Sequence, residues 1–172
     1  NVATIAGNIA TASPIGDTLP LLLSLDAEVV LRSIKKIKVI PLNNFFTDYR
    51  KTKLKKGQFI DSIRIPLFPK NIFKAYKISK RYDDDISSVC ASFNIEIKNK
   101  TIKNIRIAFG GMASIPKRAK HCEKILLNSL ITDSFSNLQL GSSNRWLFIL
   151  SIDINSITFA QILLETTTGN IT

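Results

Sequence analysis

The chain has 172 residues, of which 45% are hydrophobic and 22% are charged, and its formal net charge at pH 7 is +11. A chain of this length and composition can bury a sizeable core, which excludes a largely disordered protein. The longest apolar runs, at residues 19–25 and 146–152, are too short to cross a bilayer, so no membrane segment is expected.

The positive charge is the one compositional feature that points toward nucleic acid. The Lys and Arg residues, however, occur in short groups, at 32–38, 50–56, 77–81 and 117–124, and no predicted helix carries a continuous basic face. Charge alone is weak evidence, so we expect no nucleic-acid partner.

The cysteines are the next constraint on function. Cys90 and Cys122 are far apart and form no CxxC pair, so the sequence contains no metal or redox motif. Both are expected to be buried or half-buried small hydrophobic residues in a reducing compartment, which predicts a cytoplasmic protein. The single histidine, His121, is expected at the surface and not at a metal.

Residues 1–17 contain a dense cluster of small and turn-forming residues. The cluster consists of Gly7, Asn8, Ser13, Pro14, Gly16 and Asp17. Such residues let a backbone approach a bulky ligand closely, so the segment predicts a cofactor cradle in a chain that begins partway through a domain. Asp17 is predicted either to cap the following helix or to accept hydrogen bonds from hydroxyl groups.

The elements of the first half follow from hydrophobic periodicity. Residues 18–27 predict a helix, and 28–33 and 35–42 predict two strands joined by a turn near Ser33. Residues 42–49 predict a short amphipathic helix whose Phe45, Phe46 and Tyr49 enter the core. Residues 59–67 predict a strand that ends at Pro66, with Phe59, Ile63 and Ile65 on one face.

A domain boundary is predicted within residues 66–71, which contain two prolines. Beyond it, residues 72–79 predict a strand and 80–87 a charged turn. Residues 88–99 and 101–111 predict a hairpin around an Asn99-Lys100 turn. Its inward residues are Phe93, Ile95 and Ile97 on one strand and Ile105, Ile107 and Phe109 on the other.

The last predicted element is a helix over residues 117–130, which begins after Pro116. Beyond residue 130 neither helical nor strand periodicity is sustained, and no element is assigned. The order of elements predicts an α+β fold with antiparallel strand pairs.

Four segments together resemble one family, the FAD-binding subunit or domain of xanthine dehydrogenase in the molybdenum hydroxylase group. They are residues 1–20, 45–66, 73–93 and 105–119. They occur in the family's order and at about its spacings, and the resemblance covers residues 1–128.

The resemblance implies the domain organisation. Residues 1–66 would form the C-terminal part of a PCMH-type FAD-binding domain. Residues 67–130 would form a small domain similar to the C-terminal domain of CO dehydrogenase flavoproteins, with an antiparallel sheet plus helices. Residues 131–172 depart from the family and form a divergent, unassigned tail.

The resemblance also implies the cofactor contacts. They are Thr4, Gly7, Asn8, Asp17, Ile60, Lys77 and Asp84. Hydroxyl and amide groups suit phosphate or ribose oxygens, whereas a carboxylate suits a ribose hydroxyl and would repel a phosphate. Ile60 would pack against the flavin, and Lys77 would contact the cofactor.

Two features of this site remain open on sequence grounds. The acidic run at residues 83–85 resembles a family loop near the flavin, but a solvated acidic turn is an equal alternative. The segment Ala6-Gly7-Asn8 has one glycine before the asparagine where the family has two. The family also has a glycine-rich phosphate loop upstream, so this chain alone is expected to bind FAD weakly or not at all.

The implied function is an electron-transfer component of a xanthine dehydrogenase-type oxidoreductase in purine catabolism, with no catalytic acid or base and no metal ligand in this chain. Electrons would pass from iron–sulfur clusters through FAD to NAD. Molybdopterin and 2Fe–2S clusters are expected on partner chains or on segments outside this sequence, and the purine would bind elsewhere in the complex. The alternatives are a degenerate or truncated remnant that binds no cofactor and a basic nucleic-acid-binding module.

Overall fold

The computed structural model describes residues 3–81, 86–131, 138–143, 146–152 and 157–163. The helices are α1 (Ile5–Thr11), α2 (Thr18–Ser24) and α3 (Lys120–Leu126). The strands are β1 (Glu28–Arg32), β2 (Ile37–Pro41), β3 (Phe46–Asp48), β4 (Lys51–Thr52), β5 (Phe59–Arg64), β6 (Ile72–Ile78), β7 (Val89–Lys98), β8 (Thr101–Gly110), β9 (Lys117–Arg118), β10 (Leu138–Ser143), β11 (Trp146–Ile152) and β12 (Ile157–Leu163). All the strand pairs are antiparallel, which confirms the predicted α+β class. Within the described ranges no helix is long and apolar enough to cross a membrane.

The first sheet has the strand order β2-β1-β5, and the predicted hairpin of β1 and β2 is confirmed. The register of β5 on β1 shifts by one residue at Asp61: Val30 pairs with Ser62, and the next residue, Leu31, pairs with Ile60. The bulge at Asp61 therefore turns Ile60 and Ile63 toward the same buried cluster, the first core cluster, which includes Leu23, Val29 and Phe45. The predicted face was wrong, since Phe59 is 54% exposed.

The segment after β2 is not the predicted helix. A single 3-10 turn, Leu42–Asn44, is followed by the short β3–β4 hairpin. Hydrogen bonds to other segments replace helical ones, since Leu42 donates to the Ala27 carbonyl at 2.8 Å and Lys53 donates to the Phe45 carbonyl at 2.9 Å. Phe45 is buried as predicted, but Tyr49 is 56% exposed.

The second sheet has the strand order β6-β7-β8-β9. The predicted β7–β8 hairpin is confirmed, and its turn residues Asn99 and Lys100 have φ angles of 52° and 57°. Two successive positive φ angles are those of the type I′ turn that matches the twist of paired strands. Five of the six inward residues predicted for this hairpin are buried with Leu126 of α3 in the second core cluster, and the sixth, Ile97, is partly buried against it.

Helix α3 is shorter than predicted. Residues 117–118 form β9 on the edge of the sheet, with Arg118 opposite Ala108, and the helix begins only at Lys120. Residues 138–163 contain a β10-β11-β12 meander where the sequence predicted no element.

Helix α2 joins the two sheets. It packs against α1 and also against β7 and β8, and Ala108 of β8 belongs to the first core cluster. The hydroxyl groups of Ser24 and Ser92 lie 2.6 Å apart, and the side-chain amide of Asn94 donates to the Ser24 carbonyl at 3.0 Å. These polar groups are buried and paired, so they fix α2 against the second sheet.

Candidate cofactor-binding site

The site predicted from the sequence begins at the first turn of α1. Thr4 is the N-cap residue, with φ −123° and ψ 149°, and its Oγ1 accepts a hydrogen bond from the Gly7 amide at 3.0 Å. A Cβ on Gly7 would lie 3.0 Å from the same oxygen. The absence of a side chain at Gly7 therefore lets the threonine cap approach the helix closely.

Asn8 ties α1 to the start of α2. Its Oδ1 accepts a hydrogen bond from the Thr18 hydroxyl, and the turn between them includes Gly16, whose Cβ would lie 3.3 Å from that oxygen. The Nδ2 group of Asn8 donates to no acceptor in the part of the chain that the structure describes. A half-buried amide thus keeps its two hydrogen-bond donors for a ligand or for water.

Asp17 precedes α2 but does not cap it. Its backbone is helical, with φ −65° and ψ −32°, and its side chain makes no cap hydrogen bond. The carboxylate instead accepts a hydrogen bond from the Ser87 hydroxyl and forms an ion pair with Lys77, in which Nζ lies 2.9 Å from Oδ2. Of the two roles predicted for Asp17, the structure shows the hydroxyl acceptor and not the helix cap.

The Asp17–Lys77 ion pair brings together two of the predicted cofactor contacts. The two residues are sixty positions apart in the chain, and they are supplied by the start of α2 and by β6. Their side chains are 39% and 41% exposed, so both groups remain accessible to a ligand.

Cys90 lies beneath the ion pair. Its Sγ is 3.4 Å from the backbone carbonyl oxygen of Asp17, and the residue is 3% exposed. Burial raises the pKa of the Cys90 thiol to about 11, and the nearby charge of Asp17 adds to the rise. Cys90 is therefore a neutral thiol at physiological pH, in agreement with the expected buried hydrophobic role.

Ile60 and the acidic run complete the predicted set. Ile60 is half-buried on β5, where it packs against the first core cluster, and β5 itself packs against α1. Asp84 and its neighbours Asp83 and Asp85 lie outside the described residues. Among the predicted contacts, the structure thus pairs Thr4 with Gly7 through a hydrogen bond and Asp17 with Lys77 through an ion pair. Asn8 instead lies beside Thr18, which was not predicted as a contact.

Sequence reasoning missed Ser87 and Thr18. Ser87 directly follows the charged turn, and no spacing or motif distinguishes it from Ser88. Thr18 is the first residue of the predicted helix over residues 18–27, and no motif marks its hydroxyl. Their contacts depend on segments that meet through the fold, and local patterns carry no signal for such contacts.

A second concave region lies elsewhere on the molecule. A cavity of about 640 Å³ lies between residues 43–44 and 115–122, and its lining includes Lys117, Lys120 and His121. None of the predicted cofactor contacts lines this cavity. Cavity size alone therefore does not point to the predicted site.

The donor set of the predicted site fits a ligand with phosphate and hydroxyl groups. Lys77 supplies a cation, Asn8 an amide and Thr4 a hydroxyl, all of which bind phosphate or sugar oxygens. Asp17 supplies the carboxylate that accepts from a sugar hydroxyl. These groups fit the parts of FAD, which carries a diphosphate and ribose and ribityl hydroxyls.

Comparison with protein families gives two matches. The family model described as the FAD binding domain in molybdopterin dehydrogenase matches residues 1–68. The family model described as the CO dehydrogenase flavoprotein C-terminal domain matches residues 74–137. The two families thus follow one another along this chain.

Curated relatives include oxidoreductases from Emericella nidulans. A xanthine dehydrogenase is 39% identical over 136 residues, which is 77% of this chain and 10% of that protein. A nicotinate hydroxylase is 45% identical over 119 residues, which is 66% of this chain and 9% of that protein. The chain therefore spans about a tenth of the length of these relatives.

Among solved structures, carbon monoxide dehydrogenase from Hydrogenophaga pseudoflava matches with a TM-score of 0.72 and 26% identity. The match covers 76% of this chain and 46% of that chain. With both family models, these curated relatives and this fold in agreement, the chain belongs to the flavoprotein family of the xanthine dehydrogenase-type molybdenum hydroxylases.

Proposed function

We propose that this chain binds FAD and serves in the electron-transfer component of a xanthine dehydrogenase-type molybdenum hydroxylase. The observation that carries the proposal is the Asp17–Lys77 ion pair, with Nζ 2.9 Å from Oδ2. The family resemblance assigns each of these residues to the cofactor separately, and the fold brings them into contact from different elements.

Each group has a role that its chemistry supports. Lys77 stabilises negative charge on the ligand, and close to a reduced flavin ring it would raise the reduction potential. Asp17 accepts from a sugar hydroxyl, and the amide of Asn8 and the hydroxyl of Thr4 bind phosphate or sugar oxygens. Ile60 offers an apolar surface for the ring.

The wider role follows from the family. When bound, FAD supplies the redox chemistry, through which electrons pass from iron–sulfur clusters to NAD. We propose that a molybdopterin-binding subunit and an iron–sulfur domain are the partners and that the oxidised substrate, a purine, binds on the molybdopterin subunit. Cys90 is a buried free thiol, which supports a reducing, cytoplasmic location.

The direct test is a titration of the purified protein with FAD, followed by quenching of flavin fluorescence. Weak but saturable one-to-one binding is expected of this chain alone, and Asp17→Ala or Lys77→Met should weaken it further by about tenfold, the effect of losing one charged hydrogen bond. Lys74→Met is the matched control, since Lys74 is an exposed lysine on the same strand.

Two outcomes would contradict the proposal. A folded protein that quenches no flavin fluorescence would be a remnant without cofactor binding. Equal FAD affinity in the Lys77 and Lys74 variants would show that the ion pair is not part of the site. The same preparation is also titrated with DNA, because binding that weakens steeply with salt would favour the nucleic-acid alternative.

A further inference from the structure

Ser87 is a buried polar residue directly behind the Asp17–Lys77 pair. It is 3% exposed, and its hydroxyl donates a hydrogen bond to Oδ1 of Asp17. It lies in the connection between β6 and β7, where the next residue, Ser88, donates its amide to the Ile78 carbonyl at 2.8 Å. The hydroxyl is thus presented from backbone that is itself held to β6.

The two oxygens of the Asp17 carboxylate are divided between two partners. Oδ1 accepts from the buried Ser87, while Oδ2 faces the Nζ group of Lys77. The Asp17 side chain is 39% exposed, and an exposed carboxylate with only a lysine partner would exchange between rotamers and contribute little binding energy. The contact with Ser87 fixes one orientation of the carboxylate from its buried side.

The position of Lys77 depends on this arrangement. A lysine side chain has many rotamers, and restricting it to one costs conformational entropy. A carboxylate held in one orientation presents one fixed partner for the ammonium group. Less conformational entropy is then lost when a ligand that contacts both charged groups binds.

We propose that Ser87 is a positioning residue of the cofactor site, which orients Asp17 and through it Lys77 for FAD. The inference rests on the proposed FAD-binding function. Ser87 does not itself need to touch the cofactor, because its hydroxyl is already used by Asp17. A purely structural role would instead confine the effect of Ser87 to folding stability.

The test compares FAD affinity and the free energy of unfolding in a set of variants of the full chain. Ser87→Ala is expected to weaken FAD binding about threefold to tenfold, as one hydrogen bond to a charged group is lost and water partly replaces it. Ser87→Cys fills the same space with a poor donor and should show the same loss, which covers the case in which the alanine variant folds poorly. Ser87→Thr keeps the hydroxyl and should restore the affinity.

Two controls separate positioning from other effects. Ser88→Ala removes a neighbouring hydroxyl that makes no hydrogen bond within the described residues, and it should leave FAD affinity unchanged. In an Asp17→Ala background, Ser87→Ala should cause no further loss, because the group that Ser87 orients is gone.

The outcomes distinguish the inference from the function on which it rests. If the unmodified protein does not bind FAD, both are overturned. If it binds FAD and the Ser87→Ala and Ser87→Cys variants bind equally well, only the positioning role is overturned. An equal loss with and without the Asp17 carboxylate would also overturn it, since Ser87 would then act independently of Asp17.

Discussion

At the scale of single residues, the contact between the end of β8 and the loop before α2 requires a glycine at position 111. Gly111 has φ +86°, and a Cβ there would lie 2.2 Å from the Ser88 carbonyl oxygen. Its amide donates to the Pro14 carbonyl at 2.7 Å, which ties the loop before α2 to the end of β8. Both the backbone conformation and the available space exclude a side chain.

Gly111→Ala is therefore expected to lower the free energy of unfolding by about 3 kcal/mol or more, since it adds a backbone clash to the strain of a positive φ. Gly57→Ala is the matched control. Gly57 has φ +78°, but nothing lies within 4 Å of its Cβ position, so only the strain of about 1 kcal/mol applies. Urea unfolding measures both changes. Equal losses in the two variants would show that the Ser88 carbonyl moves aside without penalty.

At the scale of elements, the sequence predicted those structures that local chemistry determines. The β7–β8 hairpin was predicted because alternating residues flank the polar pair Asn99-Lys100, and in the structure both turn residues have positive φ angles. Residues 42–49 and the start of α3 were predicted wrongly, because contacts with distant segments decide them. The bulge at Asp61 likewise has no local signature.

In the candidate site too, local sequence and contacts between distant segments determine different features. The motif at Asn8 and Asp17 and the lysine at 77 were predicted from the family resemblance. No local feature predicted that Ser87 lies against Asp17, because that contact exists only once α2 has packed on β7. Sequence motifs therefore do not identify a residue that acts only by contacting another residue in the folded protein.

Helix α3 is held to the second sheet by one buried carboxylate. Glu123 is 8% exposed, and its oxygens accept from the Ile107 amide at 2.9 Å and from Arg118 at 2.9 and 2.8 Å. Burial lowers the pKa of Arg118, but the hydrogen bond and charge of Glu123, with Asp26, outweigh it and raise the pKa. Arg118 therefore remains charged and dependent on its carboxylate partners.

Glu123→Ala should lower the free energy of unfolding by about 3 kcal/mol, because it leaves Arg118 with one carboxylate and the Ile107 amide without an acceptor. Lys124→Ala, at an exposed neighbouring position of α3, should change stability by less than about 0.5 kcal/mol. Thermal unfolding followed by circular dichroism compares the two. A loss below about 1 kcal/mol for Glu123→Ala would mean that water replaces its contacts.

At the scale of the whole molecule, the parts matched by two family models share one folded structure. Helix α2 belongs to the first match, yet it packs on β7 and β8 of the second. Asp26 adds an ionic link across the same junction, since it pairs with Arg106 and its Oδ1 lies 2.6 Å from Nη1 of Arg118. A junction built from buried groups on both sides couples the stability of the two parts.

This coupling predicts that a destabilising substitution in the second part also lowers the stability of the first part. Asn94 is fully buried in β7, where it donates to the Ser24 carbonyl at 3.0 Å and accepts from Asn71 at 2.8 Å. Asn94→Ala should lower the free energy of unfolding by about 2 kcal/mol. Hydrogen exchange should show the same loss of protection for the amides of β1 as for those of β7.

Asn104→Ala is the control for this experiment, because Asn104 lies on β8 with its side chain unbonded within the described residues. It should leave both sets of amides unchanged. Reduced protection in β7 alone would show that the two parts unfold independently, and the predicted boundary near residue 67 would then separate autonomous domains. Equal loss on both sides of α2 would mean that the proposed cofactor contacts on α1, α2 and β6 are held by one cooperative unit.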